Sequence, residues 1–482
     1  MAGRCAWRTG RRSCPVCGKG QDQPYVSGRG SRPVFLRSVE TGLADPILSW
    51  GRVHRFEQDV DILPRDATAR GTLSETAFTG NESVIAHGLG RSYGDVALNE
   101  GGRVLLTPRH DFVLEANWET GLFRASAGLS LAQLHKITVP RGWFVPVTPG
   151  TKFVTLGGAV ANDVHGKNHH QASSFGHHVT RLKLCRSDGE AMICSREENS
   201  EFFALTLGGL GLTGIIDWVE FQLKPIASSN LFVENIACPD LAGFFELSQE
   251  SAAWPYTVMW VDCLAPEKAR GRGIFTRGRP VDSGPLQPHD EEKSVKWPFT
   301  TPSFLLNPVT LKTFNALYRM RPGARFVGEQ RYDPFFYPLD RIREWNKLYG
   351  KKGFFQHQAI IPMESGREGI AALLEAIEKA GQGSFLAVLK VHGPERSPGV
   401  MSFCREGVSL ALDFANKGRK TLALLERLDA IVLEHGGRIY PAKDGHMSAS
   451  FFQACYPQWT QLESARDPMI SSSFWRRVTQ ND

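Results

Sequence analysis

No apolar stretch in this 482-residue chain approaches the roughly 18 residues that a bilayer-spanning helix requires. The longest, residues 153–161 and 359–362, are broken by Gly, Thr or Pro, so no spanning helix is expected. No apolar segment follows the arginines near residue 1, so no secretory signal is expected either. The nine cysteines are odd in number and scattered, which argues against a disulfide framework and for reduced thiols in the cytoplasm. Heptads and internal repeats are missing, so a coiled coil and a solenoid are not expected. What is present is ordinary: 41% hydrophobic and 22% charged residues describe a globular enzyme, long enough for two to four domains.

The net charge of +6 invites a nucleic-acid reading. Its position argues otherwise. Residues 1–37 hold eight Arg and Lys against one Asp, net +7, which leaves the other 445 residues at −1. No nucleic-acid partner is expected for the globular part. The tail is Gly-, Arg-, Ser- and Pro-rich and expected to be disordered. Its Cys14-Pro-Val-Cys17 element has too few neighbouring ligands for a tetrahedral zinc site.

Two glycine-rich segments are the first candidates for a binding site. One runs from His87 through Gly88, Leu89, Gly90, Arg91, Ser92 and Tyr93 to Asp95, directly after an apolar strand. The other starts at Gly150 and Thr151 and continues through Gly157, Gly158 and Asn162 to His170. Glycines let backbone amides approach a phosphate, and a helix starting at Thr155 would aim its first amides at an anion; the alternative is that they only build tight turns. The run Gly209-Leu-Gly211-Leu-Thr-Gly214 formally fits a dinucleotide fingerprint. It follows a helix and precedes a strand, the reverse of the required context. Five histidines fall between residues 165 and 178. His165 and His169 have a metal-compatible spacing, but no nearby Cys or carboxylate completes a set, so hydrogen-bonding roles are preferred and no metal is expected.

Three strands in the second half, 354–361, 384–392 and 408–414, alternate cleanly. Gln356 and Gln358 share one face, as do Lys390 and His392, and Ser409, Ala411 and Asp413. These polar faces line either a sugar or phosphate pocket or an ordinary wet surface. Residues 265–303, rich in Pro and charge, read as a long surface excursion or lid. Lys443, beside Asp444, is either a surface ion pair or a charge set against a cofactor.

The strings HGLGRSYGD (residues 87–95), GGAVANDVHGKNHH (157–170), SFGHHV (174–179), GGLGLTGII (208–216), YPLDRIREWN (337–346), FFQHQAIIP (354–362) and GGRIYPAKD (436–444) occur in order. Together they resemble the decaprenylphosphoryl-β-D-ribose 2′-oxidase group of the vanillyl-alcohol-oxidase flavoprotein family, from about Trp50 to Asp444. The resemblance implies an α+β fold with an FAD-binding domain over 48–225, an antiparallel-sheet substrate domain over 226–436, and a return to the FAD domain over 437–482. It implies FAD contacts at Gly88, Leu89, Gly90, Arg91, Ser92, Tyr93, Gly150, Thr151, Gly157, Gly158, Asn162, His165, Ile215 and Tyr440. It implies Lys443, His165 and Lys167 at the reacting centre, and Tyr337, Gln356, Gln358, Lys390, His392 and Ser409 around the substrate. The implied reaction oxidises the 2′-hydroxyl of a polyprenyl-phosphate-linked ribose, with a separate NAD(P)H-dependent ketoreductase completing an epimerisation to arabinose. The alternative is a free sugar, sugar alcohol or aldonolactone. Many family members attach FAD through a histidine of the first glycine loop; Arg91 stands there in this chain, implying noncovalent FAD. A lipid-linked substrate implies cytoplasmic location with peripheral contact at the inner membrane.

Overall fold

The computed structural model describes residues 34–35, 46–71, 73–289, 294–302 and 306–480. The basic tail, apart from Val34–Phe35, and the Cys14–Cys17 element lie outside the described residues. The architecture is α+β, organised on three sheets. A parallel trio, Asp59–Ile62, Arg103–Leu106 and Val84–His87, carries the first glycine loop at the end of its last strand. A six-stranded antiparallel sheet holds the hairpin of Phe112–Ala116 and Leu122–Ser126, and the strands Ile215–Gln222, Val179–Cys185 and Met192–Ser195.

The third sheet has eight antiparallel strands, with Ala387–His392, Gly407–Ala415 and Phe354–Ile361 adjacent in it. The two-residue alternation divides its faces. Phe355, Ala359, Ile361, Leu389, Val408, Leu410, Leu412 and Phe414 join one core with the apolar stripes of helices Met363–Ala380 and Arg419–Glu434. Gly369 permits the close approach of the first helix, since a Cβ there would meet Ile361 Cδ1 at 2.6 Å. The opposite face carries Gln356, Gln358, Val388, Lys390, Ser409, Ala411 and Asp413.

Residues 265–303 are not one excursion. Gly273–Pro280 is a strand of the eight-stranded sheet, paired with Asn230–Cys238 and Tyr256–Val261, with the adjacent Ile274 and Phe275 buried on opposite faces of the pleat despite the charged neighbours. Val295–Lys296 pairs with Ile342–Arg343. Among the described residues no helix is long and apolar enough to cross a membrane.

A buried ionic chain ties the layers together. Arg477 reaches Asp95 at 2.6 Å and Asp444 at 2.9 Å. His446 contacts Asp444 at 3.1 Å and Asp429 at 2.9 Å, and Asp429 in turn meets His357 at 3.1 Å. The first glycine loop, the C-terminal helix Ser473–Thr479, the segment after Lys443, a covering helix and a sheet strand are thereby joined. Burial disfavours the His446 cation, but bonds from Asp429 and Asp444 outweigh it and raise its pKa from 6.5 to about 10. The stability from this raised value is full below pH 6.5 and is lost as pH climbs through about 10. The unfolding midpoint should therefore fall across that interval, and His446→Gln should flatten the fall. Equal slopes in thermal melts of the two proteins would remove His446 from the linkage.

Candidate active site

Between the sheet layers lies a cavity of about 650 Å³. Residues 88–93 form one wall, following directly from the strand Val84–His87. Gly90 has φ +63°, which glycine adopts without strain, and a Cβ at Gly88 would sit 2.6 Å from Thr155 Oγ1. The amides of residues 89–92 donate to no other described residue. Those at the start of helix Leu156–Ala161 are engaged: Leu156 to Leu129 O, Gly157 to Ala127 O at 2.8 Å, and Gly158 to Thr155 Oγ1 at 3.1 Å. The expectation that this helix aims its first amides at an anion is corrected; the first loop presents amides without an acceptor among the described residues, as do Gly150 and Thr151 of the second segment, ahead of the helix. Gly150, Thr151, Gly157, Gly158 and Asn162 still line the cavity, and Asn162 Oδ1 is buried there with no partner.

The sheet face forms the opposite wall. Register places Gln356 across from Asp413, Gln358 across from Ala411, and Lys390 across from Ser409. Gln356 Nε2 donates to Asp413 Oδ1 at 2.5 Å. Lys390 Nζ bonds His165 Nδ1 at 2.8 Å and Gly166 O at 2.6 Å, and the Gln358 amide lies 2.8 Å from His165 Nε2. Burial, then the Lys390 charge, holds His165 neutral with a pKa well below 6.5.

Lys443 enters from the turn after strand Arg438–Ile439, its ammonium 3.9 Å from the centre of the Tyr93 ring. Tyr440 beside it donates from its hydroxyl to Asn162 O at 2.7 Å. Three lysines thus converge on one cavity. Burial lowers Lys167 to about 7, with Lys390 adding repulsion, and lowers Lys390 to about 8. Lys443 is also held below the lysine range by burial, and Asp413 above the carboxylate range for the same reason. Lys167 is further bound to Phe335 O.

Of the residues singled out from sequence, three lie off the cavity wall. Ile215 is buried while its neighbours Gly214 and Ile216 line the space. His392 sits behind Ser409, bonded to its hydroxyl at 2.9 Å. Tyr337 is fully buried, its hydroxyl held by Thr148 at 2.6 Å and His135 at 2.7 Å. The wall also contains Trp50, under the Arg91 guanidinium at 4.1 Å, and Asp413, neither of which was assigned a role from sequence. Asp413 was readable as the second polar residue, after Ser409, of its strand face; Trp50 carried no pattern.

Open amides on a glycine loop, an unpartnered Asn162 oxygen and a large cavity with buried cations fit a dinucleotide with an anionic ring system. Known proteins agree. The FAD binding domain family matches residues 61–195. A decaprenylphosphoryl-β-D-ribose oxidase of Mycolicibacterium smegmatis is 34% identical over 450 residues, 90% of this chain and 97% of that protein. An uncharacterised Streptomyces coelicolor protein is 29% identical, over 73% of this chain and the whole of its own length. A putative D-arabinono-1,4-lactone oxidase of Neurospora crassa is 26% identical over 37% of this chain and 32% of its own. Fold and site therefore define an FAD-dependent oxidoreductase of the vanillyl-alcohol-oxidase type. Within that class, the chain belongs to the decaprenylphosphoryl-ribose-oxidase-like family.

The two halves of the site meet where Tyr93 N donates to Ala442 O at 2.9 Å, and Gly94 is the tightest point. A Cβ there would lie 1.5 Å from Asp444 O. Gly94→Ala should push the Lys443 turn off the first glycine loop, costing on the order of 1–3 kcal/mol and lowering flavin content. Thermal unfolding and the flavin-to-protein absorbance ratio report both effects.

Proposed function

We propose that the protein oxidises the 2′-hydroxyl of a polyprenyl-phosphate-linked ribose to the 2′-ketone, the first half of an epimerisation to the arabinose. The observation that carries this reading is the charge lining one cavity: Arg91, Lys167, Arg343, Lys390 and Lys443 against the carboxylates Asp340, Glu344 and Asp413, with Lys390 buried and Lys167 and Lys443 half-buried. Such an excess of positive charge suits an anionic sugar phosphate better than a neutral sugar. The likeness to the mycobacterial oxidase across nearly all of both chains supports it. In this reading 48–225 and 437–482 hold the cofactor and 226–436 hold the substrate.

Oxidation of a secondary alcohol removes a hydride from carbon and a proton from oxygen. Bound FAD supplies the two-electron acceptor for the hydride. The chain manages the proton and the charges. Asp413, raised by burial toward neutral pH and oriented by Gln356, takes the hydroxyl proton. Lys443, its ammonium on the cavity wall over the Tyr93 ring, would stabilise negative charge developing on a flavin held there. Neutral His165, fixed by Lys390 and Gln358, positions the sugar, while Lys390 and Lys167 meet the phosphate.

The FAD is held noncovalently: a guanidinium, at Arg91, offers no nucleophile for attachment, and it is occupied over Trp50. The substrate's lipid tail requires contact with a bilayer. Val309, Leu317 and Met320, 73%, 65% and 76% exposed, form an outward apolar stripe on helix Pro308–Met320 beside Lys312 and Arg319, a pattern suited to an anionic lipid surface. A separate NAD(P)H-dependent reductase would consume the ketone.

Anaerobic mixing with polyprenyl-phosphoryl ribose should bleach the flavin, while free ribose and arabinono-lactone should not; the reverse preference would favour the free-sugar or aldonolactone alternative. The bleaching rate should rise with pH through the neutral range, and Asp413→Asn should slow it at least about 100-fold and remove the rise. Acid precipitation should release all flavin to the supernatant; yellow protein in the pellet would contradict noncovalent binding.

A further inference from the structure

Behind Ser409, off the cavity wall, three side chains from distant parts of the chain converge. His169 comes from the short helix His169–Ala172, His392 from the end of strand Ala387–His392, and Cys404 from the segment preceding strand Gly407–Ala415. One ligand atom from each lies within 4.8 Å of the other two. All three residues are buried, both histidines at 0% exposure and Cys404 at 5%. The imidazole centroids of His169 and His392 stand 4.4 Å apart.

Their hydrogen bonding is incomplete in a particular way. Among the described residues neither ring nitrogen of His169 has a hydrogen-bond partner, and Nδ1 of His392 has none. Buried polar atoms are ordinarily paired, and three unpaired nitrogens beside a thiol are an open donor set. Nε2 of His392 is 2.9 Å from Ser409 Oγ, which fixes that ring, and Nδ1 is the nitrogen left without a partner among the described residues. The backbone is pinned on either side. Arg438 donates to Phe403 O at 3.0 Å and to Cys404 O at 3.3 Å, and Gly393 lies so close to His170 that a Cβ would meet its carbonyl oxygen at 2.6 Å.

We propose that His169, His392 and Cys404 form a binding site for one thiophilic d10 cation, Cu+ or Zn2+, distinct from the oxidative centre. Two imidazoles and a thiolate are the soft donor set these ions select. Binding replaces the thiol proton: the S–H bond breaks, the proton leaves to solvent, and the thiolate electron pair forms the metal–sulfur bond. With Cu+ the thiolate balances the ion, so no net charge is added beside Lys390; with Zn2+ one positive charge is left over. Cu+ is therefore the tighter of the two. The sequence hid this arrangement because His169 lies more than 200 positions before His392 and Cys404, and only the fold of the strand ends onto the 169–172 turn assembles them.

The test uses the flavin-loaded protein, stripped with chelator and then offered Cu+ under anaerobic conditions or Zn2+, desalted, and assayed by elemental mass spectrometry. One equivalent of metal per flavin is expected, with Cu+ surviving competition that removes Zn2+. Cys404→Ser and His169→Gln should each lower retention at least about tenfold while the flavin absorbance stays, which separates loss of ligands from loss of fold. Retention of neither ion at one equivalent, or equal retention in both flavin-loaded variants, would overturn the site.

Discussion

An excess of positive charge on the wall of one cavity is the constraint around which the rest of this protein is arranged. Lys390 is buried and Lys167 and Lys443 half-buried there, with Arg91 and Arg343 beside them and the carboxylates of Asp340, Glu344 and Asp413 offsetting part of the charge. Desolvating an ammonium is costly unless a partner or an anion accompanies it. The chain relieves part of this locally: Lys390 donates to His165 and Gly166, and Lys443 rests over the Tyr93 ring. The remainder is available to stabilise whatever negative charge enters or develops there. Binding energy and transition-state stabilisation thus come from the same groups.

Such a cavity has to be supported from outside, and the Asp95–Arg477–Asp444–His446–Asp429 chain does so. It is adjacent in sequence to Lys443, yet it keeps its own charges paired and away from the cavity. Asp444 is fully buried and, with Arg477 the leading influence against burial, its carboxyl stays well below the usual carboxylate range. It therefore remains ionised and bound to the frame instead of neutralising its neighbour Lys443. The two adjacent residues are placed differently, Asp444 in the ionic frame and Lys443 on the cavity wall, because their side chains leave the turn Pro441–Lys443 in different directions.

Much of this was legible in the chain alone, for identifiable reasons. Period-two alternation marked the faces of strands 354–361 and 407–415, since a strand buried on one side and facing a cavity on the other must alternate. The glycine loops and the GGRIYPAKD string marked segments that line the cavity. The misreadings follow equally from physics. The strand Gly273–Pro280 was masked by its Arg and Pro content, because its neighbours in the sheet supply the hydrophobic contacts. The occupied amides of helix Leu156–Ala161 depend on Leu129 and Ala127, and nothing local announces those partners. Trp50 entered the site only through Arg91, and Tyr337 and His392 were assigned to a pocket whose wall they support from behind.

The midpoint potential of the bound FAD, compared between the wild-type protein and Lys443→Met, tests the central claim most directly. If the buried ammonium stabilises negative charge on the cofactor, the variant should retain FAD at a distinctly lower potential. An unchanged potential in a fully loaded variant would show that Lys443 does not provide that stabilisation.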